Sequence, residues 1–188
     1  MADTGDIGVG SVIRFNGELV QIMEYQHRTP GNLRAFYQAK MRNLKTVKQT
    51  ENRFRSGESV EIVRVEYKLM QYIYADGDFA VVMDNTTYEQ VHIPMMMFGD
   101  SARFLKEGME VKVSFEEGDN PIIAEPPTFT EAQITYTEPG LKGDTATNTL
   151  KPAKIDTGTE IRVPLFCNEG DWVKIDTRTG EYVERIKK

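Results

Sequence analysis

The stretch HRTPGNLRAFYQAKMRNLK, His27 to Lys45, changes character partway along. It begins as a loop: Thr29-Pro30-Gly31-Asn32 joins a residue that fixes φ to two that tolerate φ > 0. It continues as a strand, with Ala35, Tyr37, Ala39 and Met41 on one face and Gln38, Lys40 and Arg42 on the other. From Tyr25 to Thr50 there are six Lys or Arg (Arg28, Arg34, Lys40, Arg42, Lys45, Lys48) and no Asp or Glu. Two readings of these cations stand side by side. They guard a solvated edge strand, or they form a contact surface for a polyanion with the loop as its probe.

Outward from this stretch the pattern stays β. Before it, Val12, Ile13 and Phe15 lead to Asn16-Gly17, and Leu19, Val20, Ile22 and Met23 follow. Asn-Gly between apolar runs predicts a hairpin, because a type I′ turn needs φ > 0 twice. After it, a polar bend leads to Arg53-Phe54-Arg55, a Ser56-Gly57-Glu58 turn and a strand over Val60, Ile62, Val63 and Val65. Short strands at this spacing indicate a small barrel over residues 1–65.

Residues 66–128 repeat the style. Tyr67 to Tyr74 lead to an Asp76-Gly77 turn, Phe79 to Met83 return, and a turn at Asp84-Asn85-Thr86 precedes Tyr88, Val91 and Ile93. Asp100 to Glu107 is expected as the one short helix, capped by Asp100 or Ser101 and ended by Gly108. Met109, Val111, Val113 and Phe115 alternate as a strand, with Gly118-Asp119-Asn120-Pro121 as a loop tip. Met95-Met96-Met97-Phe98 is either core filling or a pliable binding surface. Pro126-Pro127 stops the module.

Residues 129–188 start with Phe129, Ile134 and Tyr136. A long loop is expected over residues 139–152, either functional or a plain surface connection. Strands follow at Glu160–Phe166, Trp172–Ile175 and Tyr182–Ile186. Five short strands fit an oligonucleotide-binding barrel. The expectation is an all-β chain of three small barrels.

The chain has 188 residues and a net charge of −6. The charge is uneven: residues 1–64 carry net +3, residues 65–129 net −8, and residues 130–188 net −1. A polyanion would be drawn to the first part and repelled by the second. The single Cys167 excludes a disulfide framework within the chain. The N-terminus lacks the basic and apolar regions of a secretory signal, and no apolar run approaches the roughly 20 residues that span a bilayer. A cytoplasmic protein without membrane contact is expected.

Chemistry has no obvious seat. The two histidines, His27 and His92, show no ligand spacing, and neither phosphate-loop nor dinucleotide glycine motifs occur. His27 flanks the basic loop and is either a phosphate contact or structural. Cys167, at the end of an apolar strand, reads as a small buried residue. No catalytic residue, metal or cofactor is expected. A binding protein fits better than an enzyme with an unrecognised carboxylate site, and a general single-stranded RNA-binding module is one form it can take.

Specific fragments carry a resemblance along the whole chain. They are Pro30-Gly31 with Ala35-Phe36, Lys40-Met41-Arg42-Asn43-Leu44, Tyr74-x-Asp76-Gly77, Met83-Asp84, and Tyr88-Glu89-Gln90. Further on come residues 139–146 (PGLKGDTA), Lys151-Pro152-Ala153, Val163-Pro164, Gly170 and residues 176–182 (DTRTGEY). In this order and spacing they resemble bacterial elongation factor P. The resemblance implies an SH3-like (KOW-like) barrel and two OB barrels in an elongated, tRNA-like arrangement. It implies a monomer that binds the ribosome, through rRNA and ribosomal proteins, between the P and E sites beside peptidyl-tRNA, and that has no DNA partner. It implies a factor that stimulates peptide-bond formation and relieves stalls at consecutive prolines, without being an enzyme.

The implied site residues follow. The tip loop Pro30, Gly31, Asn32, Leu33 and Arg34 faces the peptidyl-transferase centre. Arg28, Lys40 and Arg42 meet RNA in the first module, as do Gly143, Asp144, Thr145, Tyr182 and Arg185 in the third. The chain departs from the family at the tip, where a Lys or Arg, often enzymatically extended, is usual and Asn32 stands instead. Either Asn32 works unmodified, or Arg34 supplies the cation from two residues away. Val47 occupies a position where the family usually has Gly.

Overall fold

The computed structural model describes residues 2–140 and 149–188. The chain is almost entirely β, arranged as three sheets. No helix among the described residues is long and apolar enough to cross a membrane.

The first sheet contains β1 (Ala2–Asp3), β2 (Val12–Phe15), β3 (Glu18–Arg28), β4 (Phe36–Asn43), β5 (Gln49–Arg55) and β6 (Ser59–Ile62), in the order β1-β6-β2-β3-β4-β5. The Asn-Gly hairpin forms as the sequence predicts: Phe15 pairs with Glu18, and Asn16 (φ 51°) and Gly17 (φ 81°) both take positive φ. Ile13, Val20, Ile22, Ala39, Met41 and Phe54 meet in its core. Two strands differ from the sequence reading. The polar bend before Arg53 is strand β5, paired with β4 from Arg42↔Gln49 to Phe36↔Arg55. The N-terminus supplies β1, which pairs with β6.

The second sheet contains β7 (Val65–Asp76), β8 (Phe79–Asp84), β9 (Gln90–Pro94), β10 (Glu110–Glu116) and β11 (Asn120–Glu125), in the order β11-β10-β7-β8-β9. Asn120 and Pro121, expected in a loop tip, begin β11, and the turn is Glu117-Gly118 with both residues at positive φ. The expected α-helix over 100–107 is instead a 3-10 segment, Met95–Phe104, broken at Gly99 (φ 57°, ψ −140°). It caps itself only weakly: Leu105 is already extended, and Ser101 donates to the Phe98 carbonyl rather than capping a helix start. The methionine run divides: Met96 is 50% exposed while Phe98 is buried.

The third sheet contains β12 (Phe129–Thr137), β13 (Leu150–Ile155), β14 (Glu160–Pro164), β15 (Trp172–Asp176) and β16 (Glu181–Ile186), in the order β14-β13-β12-β15-β16. The end of the expected loop 139–152 is strand β13. Its alternation is hidden in the sequence because Lys151 points inward, where its Nζ donates to the Glu138 carbonyl at 2.7 Å. Ala132, Ile134, Ile155, Val163, Val173 and Ile175 fill this core, and Phe104 joins them.

By compactness the chain divides into two units, Met1–Lys68 with Val113–Ala124, and Leu69–Lys112 with Glu125–Lys188. Within the first, Arg14 bridges Glu61 (3.2 Å) and Glu116 (2.8 Å). Within the second, Lys106 holds Asp156 at 2.7 Å and the Glu131 carbonyl at 2.6 Å.

Candidate nucleic-acid interface

The long hairpin of β3 and β4 carries the loop. Pairing runs out to Arg28↔Phe36, so residues 29–35 lie beyond the ladder. The loop is closed by a β-turn in which the Leu33 N–H donates to the Pro30 carbonyl at 2.8 Å. Gly31, at φ 33°, takes the one positive φ in this turn, and Asn32 follows it with an ordinary φ. Pro30, Gly31, Asn32, Leu33 and Arg34 are all exposed, Leu33 to 74%. The loop expected from the sequence is a loop in the structure, with the apolar Leu33 side chain exposed beside Asn32.

The inner face of the hairpin stiffens the loop's base. Tyr25 and Tyr37 stack at 4.9 Å and 9°, and His27 lies on Tyr37 at 4.7 Å and 32°. The Tyr25 hydroxyl donates to the Thr4 carbonyl at 2.7 Å. Burial, reinforced by Tyr37, Asp3 and Glu58, pushes the Tyr25 phenol up to about 12. The Thr4 hydroxyl is buried, donates to the Arg55 carbonyl at 3.0 Å and accepts from the Gly57 N–H at 2.9 Å. His27 thus has a structural partner in Tyr37.

The outer face is less uniformly basic than the sequence run suggests. Lys40 pairs across to Glu24 on β3 and Glu51 on β5, with Nζ 3.2 Å from Glu24 Oε1. Glu51 also accepts from Gln38 at 3.4 Å. Both acids lie on the neighbouring strands, outside the stretch that looked free of carboxylates. Arg42 sits between Gln21 and Gln49 and makes no ion pair with any described residue. Arg28 is exposed and donates to Gln26 Oε1 at 2.7 Å. The cross-strand register adds Phe36, Arg53 and Arg55 to this face, which the sequence reading did not single out. The signal available was the alternating Arg-x-Arg, unreadable until β5 is recognised as a strand.

In the third sheet, Tyr182 and Arg185 both belong to β16 but have different surroundings. Tyr182 is half-buried against the core, and its phenol is raised by burial first and by Cys167 beside it. Arg185 is exposed, 3.4 Å from Asp171 and with its guanidinium 5.3 Å from the Phe166 ring centre. Cys167 is fully buried, and burial raises its thiol, so it has the character of a small core residue. Gly143, Asp144 and Thr145 lie outside the described residues.

With this geometry in hand, comparison with known proteins is specific. Residues 3–60 match the Elongation factor P (EF-P) KOW-like domain, residues 65–123 the Elongation factor P (EF-P) OB domain, and residues 130–185 Elongation factor P, C-terminal. The fold is similar to that of a solved structure, eukaryotic translation initiation factor 5A from Methanococcus jannaschii. The TM-score is 0.51 at 20% identity, over 65% of this chain and 92% of that one. Over 188 residues the chain is 52% identical to elongation factor P of Chloroherpeton thalassium, covering 100% of both. It is 46% identical over 187 residues to that of Roseiflexus sp., again covering 100% of both. Together these matches define a translation elongation factor built from KOW-like and OB barrels. The chain belongs to the elongation factor P family.

Proposed function

We propose that this chain binds the ribosome between the P and E sites and relieves stalls at consecutive prolines by steadying peptidyl-tRNA. Its three parts, 1–65, 66–128 and 129–188, divide the work. The first presents the loop to the peptidyl-transferase centre, and the third contacts RNA through Arg185, Tyr182, Gly143, Asp144 and Thr145. The observation that carries this reading is the closed, exposed turn at Pro30–Leu33 on the end of a long paired hairpin, in a chain of this family. The ribosome makes the peptide bond. Proline is a constrained, poor nucleophile, and a misplaced peptidyl-tRNA cannot meet it in a near-attack geometry; an ordered loop restores that geometry.

The tip works here without a long cation. Asn32 offers one carbonyl acceptor and two N–H donors on a short stem. Exposed Leu33 beside it offers apolar contact. The turn fixes where both point, so Asn32 rather than Arg34 is assigned the key contact. The test is reconstituted translation of a message encoding three consecutive prolines, with no factor, unmodified protein, Asn32→Ala or Arg34→Ala. Rescue by unmodified protein and failure of Asn32→Ala is the expected result. Failure of Arg34→Ala alone moves the role to the cation. Affinity for free RNA oligonucleotides with no preference for ribosomes bearing P-site tRNA favours a general single-stranded RNA-binding protein instead.

A further inference from the structure

Asn32 has a short stem, so the place where it acts is set by the loop backbone and not by side-chain reach. The inner face of the hairpin holds that backbone. Its last inner row reads His27, Tyr37, Phe54 across β3, β4 and β5, one pair below the end of the ladder at Arg28↔Phe36. This row runs outward from the core: Phe54 is buried, Tyr37 is half-buried and His27 is exposed. The rings of Tyr25 and His27 both lie on that of Tyr37, at 4.9 Å and 4.7 Å. The pile is fastened at its foot, where the Tyr25 hydroxyl donates to the Thr4 carbonyl at 2.7 Å. Thr4 is itself fixed to the turn between β5 and β6. Its N–H donates to the Glu58 carbonyl at 3.0 Å, and its hydroxyl donates to the Arg55 carbonyl and accepts from the Gly57 N–H. A continuous path of contacts therefore leads from that turn through Thr4, Tyr25 and Tyr37 to His27, two residues short of the loop.

We infer that His27 is a positioning residue: its ring on Tyr37, anchored through Tyr25 to Thr4, fixes the angle at which the tip loop leaves the first barrel. The inference rests on the proposed function and deepens it. His27 is exposed, so its ring adds little to the core, and its partner is an aromatic ring in place of a phosphate. A two-stranded hairpin twists and bends easily unless one face is packed. Here that face is packed by stacked rings up to the row below the last pair. A long cationic tip can find its target from a loosely held loop. A short uncharged one cannot, because a small error in the loop's direction removes Asn32 from hydrogen-bond range. Loss of the stack therefore lowers how well the bound factor orders its target. It leaves binding itself, which rests on cations elsewhere, nearly unchanged.

The test uses the full chain in reconstituted translation through consecutive prolines, with the rate followed against factor concentration. His27→Ala is expected to lower the maximal rate about fivefold, the scale of one lost ring–ring contact, and to leave the half-saturating concentration within about twofold. His27→Phe restores a ring without the imidazole and is expected to restore the rate. Tyr25→Phe keeps the stack and frees its foot, with an expected loss of about threefold in the maximal rate, the scale of one hydrogen bond. Amide exchange in the free protein, followed by NMR, supplies a reading that needs no ribosome. The Leu33 N–H, which closes the turn, is expected to exchange faster in His27→Ala and at the wild-type rate in His27→Phe. A wild-type maximal rate in His27→Ala overturns the inference. So does a raised half-saturating concentration at full maximal rate, which makes His27 a binding contact. Failure of His27→Phe to restore the rate also overturns it, because the imidazole itself is then at work. Wild-type protein that gives no rescue defeats the proposed function instead, and unchanged Leu33 exchange in His27→Ala then overturns the positioning role separately.

Discussion

Val47 sits at φ 61°, in the left-handed region that a β-branched side chain enters at a cost. The connection from β4 to β5 demands it. Asn43 Oδ1 accepts from the Lys45 and Thr46 N–H groups at 2.8 Å each, the Val47 N–H donates to the Asn43 carbonyl, and the Asn43 N–H donates to the Lys48 carbonyl. The chain then has to reverse its sense of curvature at one residue to enter β5 in register, and that residue is Val47. This strain was legible beforehand, since a Val in a position the family usually gives to Gly points to it. The identity of Asn43 as the organiser was not, because a buried Asn on an otherwise apolar strand face reads as an interruption. Val47→Gly is expected to stabilise the first barrel by about 1 kcal/mol, the relieved strain less the extra chain entropy of glycine. Val47→Ala should gain less. Urea titration followed by far-ultraviolet dichroism reads this, and an unchanged or lowered midpoint for Val47→Gly would count against a strained loop.

At the level of elements, the paired hairpin and the N-terminal strand act as one support for the tip. Tyr25 links them: its ring stacks on Tyr37 and its hydroxyl reaches Thr4. The sequence shows β2, β3 and β4 well, because apolar alternation, the Asn16-Gly17 turn between β2 and β3 and the Pro30-Gly31 turn between β3 and β4 are local signals. It hides β5, β11 and β13 for a shared reason. Each is strand by pairing rather than by composition: only Phe54 of β5 is buried, β11 opens on Asn120-Pro121, and β13 turns Lys151 inward. Partner strands supply the hydrogen bonds that make such segments extended, and no local pattern announces a partner. The tyrosine link predicts a pH dependence. The Tyr25 phenol is raised from 10.0 to about 12, so its neutral form is the one the fold favours. That contribution is complete below the unfolded value and is lost as pH rises through the folded one, between about 10 and 12. Tyr25→Phe should cost about 1 kcal/mol near neutral pH through the lost hydrogen bond. It should also flatten the fall in the unfolding midpoint over that alkaline window. An equally steep fall in the variant would show that another group is responsible.

For the whole molecule, the central question is where one folding unit stops. Pro126-Pro127 looks like a boundary in the sequence, and residues 103–106, which precede it, pack against residues that follow it. Phe104 is fully buried among Ala132, Ile134, Ile155 and Ile175. The Arg103 carbonyl accepts from the Thr159 hydroxyl at 2.8 Å, and Lys106 is held by Asp156 and the Glu131 carbonyl. Gly180, at φ 76°, leaves room for the Arg103 guanidinium, which a Cβ there would strike. Such long-range placement is invisible to periodicity: a Phe in a short polar segment says that it is buried, not in which core. Phe104→Ala should therefore cost about 3–5 kcal/mol, the usual price of removing a fully enclosed aromatic side chain. The loss should appear in the third barrel. The one tryptophan, Trp172, lies on β15 and reports there through its fluorescence. A marked fall in the Trp172 urea midpoint is expected, with a smaller fall for Gly180→Ala from backbone strain and displacement of Arg103. If Phe104→Ala left the Trp172 midpoint where it was, the third barrel would be complete without the segment that precedes the two prolines, and the boundary read from Pro126-Pro127 would be the true one.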